Sequence, residues 1–254
     1  MRMKSFLFMT LLLGLAAAAN ASIITMDPAC PTTGTYQTLL DTNAAGGCFI
    51  TVGGGAFLQF SDFTYTPAGT GTPAASGVGY SLDDPGTGVG GDTIWGFEFN
   101  PGLVVAGTPT TPYVIQDILI TYKVVAVGTE IMSDHLFANA FASGAGLGLV
   151  SEDLTFCTRA DLDPTLGTCH MFSGNPLLVS TSSSLSDVRH FAAWTSMTVS
   201  KDINVSSGMV GGVAEISQVR DSVDLTTPEP GTWALLALGG LLIGISRFRS
   251  RTQN

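Results

Sequence analysis

This chain has little charge and very little base. Only 12% of its 254 residues are Asp, Glu, Lys or Arg, and 10 basic side chains stand against 20 acidic ones. Phosphate-backbone binding needs clustered Lys and Arg, so a nucleic-acid partner is excluded. Histidine is scarce too, with only His135, His170 and His190 present. No G-x-S-x-G, H-E-x-x-H, P-loop or EF-hand spacing occurs, which removes the common signatures of hydrolases, zinc proteases, nucleotide enzymes and calcium sensors. A repeat of fixed period is absent, and so is any polar tract long enough to stay unfolded. Short Gly, Ser and Pro clusters at 67–76 and 180–186 read as loops.

What the chain does have is alternation. Ile118, Ile120, Tyr122, Val124 and Ala126 share one phase of a period-two pattern, with Thr121 and Lys123 in the other. Trp95, Phe97 and Phe99 share a phase of a strand over 92–99, and Phe137, Asn139 and Phe141 alternate with alanines. Phe57, Gln59 and Ser61 alternate with Leu58, Phe60 and Asp62; Phe63 and Tyr65 then resume after a bulge. Residues 195–205 and 209–223 read as a long hairpin turning at Ser206-Ser207-Gly208. One short helix is expected near 35–42. About ten strands at this spacing predict an all-β, two-sheet β-sandwich of jelly-roll or immunoglobulin-like type, with a closed barrel as the alternative.

The ends are different in kind. Arg2 and Lys4, an apolar core over 6–18 and Ala19-Asn20-Ala21 form a secretory signal peptide, residues 1–21, with Ser22 after the cut. Because Ser22 is not a cysteine, no lipoprotein anchor is expected. The exported body, 22–226, retains five basic residues (Lys123, Arg159, Arg189, Lys201 and Arg220) against nineteen acidic ones, a surface suited to solubility. All four cysteines, Cys30, Cys48, Cys157 and Cys169, lie in this body. An even number in an oxidising compartment implies disulfides. The two local pairs, Cys30–Cys48 and Cys157–Cys169, are favoured over the other connectivities. Their spacing fits no zinc pattern.

The last 28 residues, 227–254, combine three signals. Pro228-Glu229-Pro230 is an extended rod, since proline fixes its own φ and restricts the residue before it. An uncharged apolar helix follows over about 232–246; at roughly 24 Å it is short for a bilayer core, so Trp233 and the arginines must reach toward the interfaces. Arg247, Arg249 and Arg251 then place the C-terminus in the cytoplasm. Gly240 and Gly244 form a G-x-x-x-G step that lets a second helix approach. This segment closely resembles the PEP-CTERM sorting signal of Gram-negative bacteria. That resemblance implies an exosortase-type membrane protease as partner, with Pro228, Glu229 and Pro230 as recognition residues. It also implies transport across the inner membrane, a membrane-anchored precursor and a mature body at the cell surface or outside the cell, in organisms that make exopolysaccharide. The arginines here are interrupted, a departure from the continuous cluster. The tail is sometimes catalogued with ice binding, but no ranked Thr-x-Thr repeats support that activity.

Several residues in the body invite chemical readings. Asp83, Asp84 and Asp92 flank a glycine-rich turn and could hold Ca²⁺ through carboxylates and backbone carbonyls, although their spacing matches no established calcium loop. Tyr80 and Trp194 could stack on sugar rings, whereas Trp95 fits the core better. His170 beside Cys169 could form a Cys–His nucleophile only if that cysteine were not bridged. Asp161 and Asp163 read as turn formers rather than paired catalytic carboxylates. The reading that follows is a non-catalytic, structural or adhesive surface or biofilm-matrix protein with no cofactor. Its rivals are a carbohydrate-binding module of the exopolysaccharide matrix and a secreted hydrolase that gathers His135, His190 and Asp187.

Overall fold

A computed structural model describes residues 28–53, 56–83, 94–157, 170–171 and 176–226. The signal peptide, the sorting tail, Asp84, Asp92, Asp161, Asp163 and Cys169 lie outside these residues, and with them the 157–169 cysteine pair. Along the chain run β1 (Thr33–Thr35), helix α1 (Tyr36–Thr42), β2 (Cys48–Gly53), β3 (Ala56–Gly69), β4 (Gly79–Asp83), β5 (Ile94–Asn100) and β6 (Leu103–Ala106). There follow β7 (Ile115–Val127), β8 (Ile131–Ser143), β9 (Leu147–Cys157), β10 (His170–Met171), β11 (Leu177–Ser180), β12 (Ser186–Trp194), β13 (Ser196–Ser206) and β14 (Val213–Leu225).

These strands form two antiparallel sheets of seven strands each among the described residues. One runs β1-β4-β5-β14-β8-β12, with β6 also pairing β14; the other runs β10-β9-β13-β7-β3-β2, with β11 also pairing β9. The architecture is the β-sandwich anticipated from the alternation. Side chains of alternate phase stand on opposite faces of a strand. Accordingly Ile118, Ile120, Tyr122, Val124 and Ala126 of β7 all point into the core, each nearly or fully buried. Around Tyr122 the inner face is aromatic: Phe60, Phe63, Phe97 and Phe99 lie with ring centroids 5.8–6.5 Å from it. Edge and tilted pairs at such distances add about 0.5–1.5 kcal/mol each beyond area burial.

Several local features follow the sequence reading. The register of β3 on β7 slips between Ser61 and Thr64, and Asp62 there has φ 56°, the bulge that lets Phe63 return to the core. Helix α1 buries Tyr36 and Leu39, three residues apart on one face. The Tyr36 hydroxyl donates to the Thr64 carbonyl at 3.0 Å, tying the helix to β3. After the helix, Gly47 sits at φ +99°, where an added Cβ would come within 2.0 Å of the Phe60 carbonyl oxygen. This close turn sets Cys48 opposite Phe60 at the start of β2. Cys48 bonds to Cys30, and the backbone beside Cys30 is held by its own N–H donating to Phe49 O at 2.9 Å.

Three expectations need correction. Residues 195–223 do not form a hairpin. β13 pairs with β7 and β9 in one sheet, while β14 pairs with β5, β6 and β8 in the other. Glycines at positive φ, Gly208 and Gly211, let the connecting turn carry the chain across the sandwich instead of folding it back in-plane. The segment from Pro67 to Gly69 is strand, not loop: β3 continues through it, paired with Ile118, Asp117 and Gln116 of β7. Finally, the chain makes fourteen strands among the described residues rather than about ten. The additional ones are mostly short edge strands that periodicity does not resolve.

The Cys30–Cys48 bridge joins residues 18 apart in sequence. A loop of that size contributes about 3 kcal/mol by the chain-entropy argument. Replacing both cysteines by alanine should lower the urea midpoint by the equivalent amount. Unchanged midpoints would show that the bridge contributes nothing to stability.

Candidate functional site: ionisable groups between and upon the sheets

The inner faces of the two sheets meet on charge. In β13 the inward phase reads Met197, Val199, Lys201, Ile203, Val205, all buried, so a lysine occupies a core position. Its register partner on β9 is Glu152, in the inward phase with Val150, Leu154 and Phe156. From the opposite sheet come Asp221 of β14, between Val219 and Val223, and Asp134 of β8, followed in phase by Leu136 and Ala138. Tyr122 of β7 completes the group. Lys201, Glu152 and Asp134 are completely buried, and Asp221 nearly so.

Contacts within this cluster are direct. Lys201 Nζ touches Glu152 Oε2 and lies 3.0 Å from Asp221 Oδ2. The Tyr122 hydroxyl donates to the same Asp221 oxygen. Burial is the main force that pushes the Asp134 carboxyl well above the usual carboxylate range; the charge of Asp221 and a hydrogen bond to it push the same way, against the pull of Lys201. These influences favour the neutral form of Asp134, whose two oxygens have no hydrogen-bond partner of good geometry. Burial also raises the Tyr122 phenol, and Asp221 reinforces the shift, so the hydroxyl keeps the proton that it donates to Asp221.

Asp134, Glu152 and Asp221 each offer an oxygen within 4.8 Å of the others, the distance needed to share a cation. The donor set does not fit a metal well, because Lys201 Nζ already stands among those oxygens as the counter-charge. Glu152 and Asp221 both lie against the one Lys201 ammonium in a fully buried space. Each buried ion carries a desolvation penalty of several kcal/mol, offset only by close, well-formed contacts.

On the outer face of the first sheet a second set of groups gathers. Arg220 Nε lies 3.3 Å from Asp83 Oδ2, and its Nη2 lies 3.3 Å from Glu98 Oε2. His135 Nε2 lies 2.8 Å from Asp224 Oδ2 and 3.0 Å from Ser133 Oγ, while Ser133 Oγ donates to the same Asp224 oxygen at 2.5 Å. One imidazole nitrogen thus meets both the hydroxyl and the carboxylate. A nucleophilic relay needs the base to use its two nitrogens for the two partners, so Ser133, His135 and Asp224 are not a triad. Phe137 and Phe141 of β8 stand on this face, 39% and 58% exposed.

The structure separates most of the residues singled out from the sequence. Tyr80 is a correction: it is buried against Phe97, and its hydroxyl donates to the Pro31 carbonyl at 3.0 Å, so it is a core residue and not a sugar platform. Trp194 is half-buried, with its ring stacked on Phe156 at 5.4 Å. Trp95 likewise packs against the core. Asp83 serves as the partner of Arg220. His135 and His190 are neighbours, with ring centroids 6.4 Å apart, but His135 takes Asp224 as its carboxylate. Asp187 instead accepts from the Leu178 N–H at 3.0 Å. The constellation suggested for a hydrolase is therefore not assembled.

The body is thus an antiparallel β-sandwich with a sealed ionic core. Its tail is what known proteins identify: residues 226–251 match the PEP-CTERM protein-sorting motif, which implies export and processing by exosortase. No curated protein matches the chain. Among solved structures it is similar to the enzymatically active domain of bacteriophage CBA120 tailspike protein 4, at 13% identity and TM-score 0.25. That match covers 64% of this chain and only 19% of the phage protein. It is similar also to TmCBM61 in complex with β-1,4-galactotriose, at 10% identity and TM-score 0.26, over 62% of this chain and 86% of that one. A third likeness is to accessory secretory protein 1, 2 and 3 of Streptococcus pneumoniae, at 7% identity and TM-score 0.25, over 75% and 95% of the respective chains. Among the described residues no helix is long and apolar enough to cross a membrane.

Two outcomes test the electrostatics. Lys201→Met should destabilise the protein by about 3–5 kcal/mol in urea unfolding, because it strands buried carboxylates, and pairing it with Glu152→Gln should restore part of that loss. Asp202 is pushed up to about 6, mainly by burial and then by a hydrogen bond to Asp117 and its charge. An acid held more tightly by its proton when folded stabilises fully below its unfolded pKa and loses that contribution as pH rises through the folded one. Wild type should therefore lose Tm relative to Asp202→Asn as pH rises from 3.8 through about 6, because the neutral Asn is spared the cost of ionisation, and a relative gain by wild type would contradict the assignment.

Proposed function

We propose that this protein is exported, is released from its membrane-held precursor when exosortase acts at the PEP-CTERM tail, and serves at the cell surface or in the extracellular polymer as a structural or adhesive component. The observation that carries the reading is the pairing of that sorting motif with a body in which, among the described residues, the cluster of Lys201, Glu152, Asp221 and Asp134 is buried. The His135 group on the surface lacks relay geometry. An open depression among the described residues, lined by Ala126, Gly128, Thr129, Glu130, Thr195 and Thr226, gathers a single carboxylate and no histidine. These features support a role in binding and scaffolding rather than turnover.

A second reading is favoured by the outer face of β8 and β14. There the exposed ring of Phe137 lies in register with Arg220, beside His135 and Asp224, an apolar surface edged by hydrogen-bonding groups of the kind that suits a glycan. Phe137→Ala together with Phe141→Ala should weaken retention of the purified body on exopolysaccharide while leaving its melting curve within a degree or two. Equal retention would retire this face as a sugar site.

Export is tested separately. Converting Pro228-Glu229-Pro230 to alanines should leave the protein at precursor length in the membrane fraction, as read by mass spectrometry of both termini. Normal maturation of that variant would remove the recognition role of the tripeptide.

A further inference from the structure

The buried cluster has the composition and geometry of a self-condensing site. We propose that Lys201 and Glu152 form an intramolecular amide bond between β13 and β9, with the Asp134–Asp221 carboxyl pair as its proton relay.

Four observations carry this. First, Lys201 Nζ and Glu152 Oε2 are in direct contact, and the two residues are register partners on adjacent antiparallel strands, so a covalent link between them displaces no backbone. Second, both side chains are completely buried. A lysine ordinarily runs its stem along apolar surface and keeps its head in water; mid-strand in the inward phase, Lys201 cannot. Third, Asp221 Oδ2 lies 3.0 Å from the lysine nitrogen, close enough to accept a proton from it. Fourth, Asp134 is fully buried, neither of its oxygens has a hydrogen-bond partner, and one lies within 4.8 Å of an Asp221 oxygen; burial, with Asp221 beside it, favours its neutral form. A neutral carboxyl beside a carboxylate is the arrangement that gives and takes a proton in turn.

The reaction is a condensation that needs no oxidant, metal or activated group. A proton passes from the Lys201 ammonium to the Glu152 carboxylate, leaving a free amine and a neutral acid. The nitrogen lone pair attacks Glu152 Cδ and forms the C–N bond. Asp221 takes the proton shed by nitrogen, and the Asp134–Asp221 pair returns one proton to the departing hydroxyl. The C–O bond breaks and one water leaves, with the pair restored to its starting charge. Fixing both reactants in contact replaces a bimolecular encounter, an advantage on the order of 10⁵–10⁸ M in effective concentration. Exclusion of water from the core opposes the reverse hydrolysis. The product also converts two buried ions into a neutral amide, removing the largest desolvation penalty in the cluster.

The full chain, exported in a Gram-negative host, purified folded, then denatured, reduced, alkylated and digested with trypsin, decides the matter. Trypsin cuts after Lys123, Arg159, Arg189, Lys201 and Arg220. An amide at Lys201 blocks one of those cuts and joins segment 124–159 to segment 190–220 as a branched species, one water lighter than its parts. That species is the expected result, and it should survive boiling in detergent. Recovery of free 124–159 together with free 190–201 overturns the proposal. A branched species that instead contains the segment starting at Asp221 would make Asp221 the acceptor and overturn the assignment to Glu152. Asp134→Asn keeps the shape and the neutral charge of the protonated acid but cannot relay a proton. It should fold with an unchanged circular dichroism spectrum and lose the branched species. Wild-type levels of the branch in that variant would overturn the relay.

Discussion

Everything in the interior is organised by a lysine that cannot reach water. Lys201 sits at the middle of β13 with apolar neighbours before and after it in the same phase, so its charge must be met where it lies. Glu152 meets it from the adjacent strand, and Asp221 from the facing sheet. Apolar contacts tolerate small slides of one sheet over another, since they are non-directional. Ionic and hydrogen-bonded contacts do not, because a displacement of an ångström or two leaves buried charges unpaired. The cluster therefore fixes the offset of the two sheets as well as bridging them. Tyr122 connects it to the aromatic half of the core, where Phe60, Phe63, Phe97 and Phe99 pack on its ring.

The remaining parts arrange themselves around that centre. Helix α1 and the Cys30–Cys48 bridge close the sandwich on the side of β2 and β3, with Tyr36 inserted among Phe63, Tyr65 and Phe99. The outer face of the first sheet is where chemistry meets solvent. Its charges are largely spent on one another: Arg220 on Asp83 and Glu98, and His135 on Asp224. What is left to a partner includes the exposed Phe137 and Phe141, with Val104 and Val188 on the same face. Beyond this body, residues 226–251 carry the PEP-CTERM sorting motif.

Much of the architecture was legible in the residues because two-residue alternation is a direct image of a two-faced sheet. The phase of β7, the bulge at Asp62, the short helix and the local cysteine pair all follow from rules that act within a few residues. The partnership of β13 and β14 with different sheets was not legible. A glycine-bearing turn permits either a hairpin or a crossing, and the choice rests on contacts far away in sequence. The ionic cluster was missed for another reason. Its members come from five strands spread between residues 122 and 221, and none lies in a motif. A signal was nonetheless there: Lys201, Glu152 and Asp221 each interrupt the apolar phase of an otherwise regular strand. A charge that falls on the inward beat of one strand is an oddity. Three such charges of complementary sign in one body point to each other.

The way the chain leaves the body has a mechanical meaning. Thr226 is clasped at the end of β14: its N–H donates to the Glu130 carbonyl at 2.8 Å, and its hydroxyl accepts from the Glu130 N–H at 3.0 Å. β14 lies inside its sheet, hydrogen-bonded to β5 and β6 along one side and to β8 along the other. Any tension that arrives from residue 227 onward enters along the axis of this strand. It loads two ladders in shear, so that many hydrogen bonds must fail together, whereas an edge strand would peel open one rung at a time. The strand that leads into the sorting tail is thus one held along both of its sides.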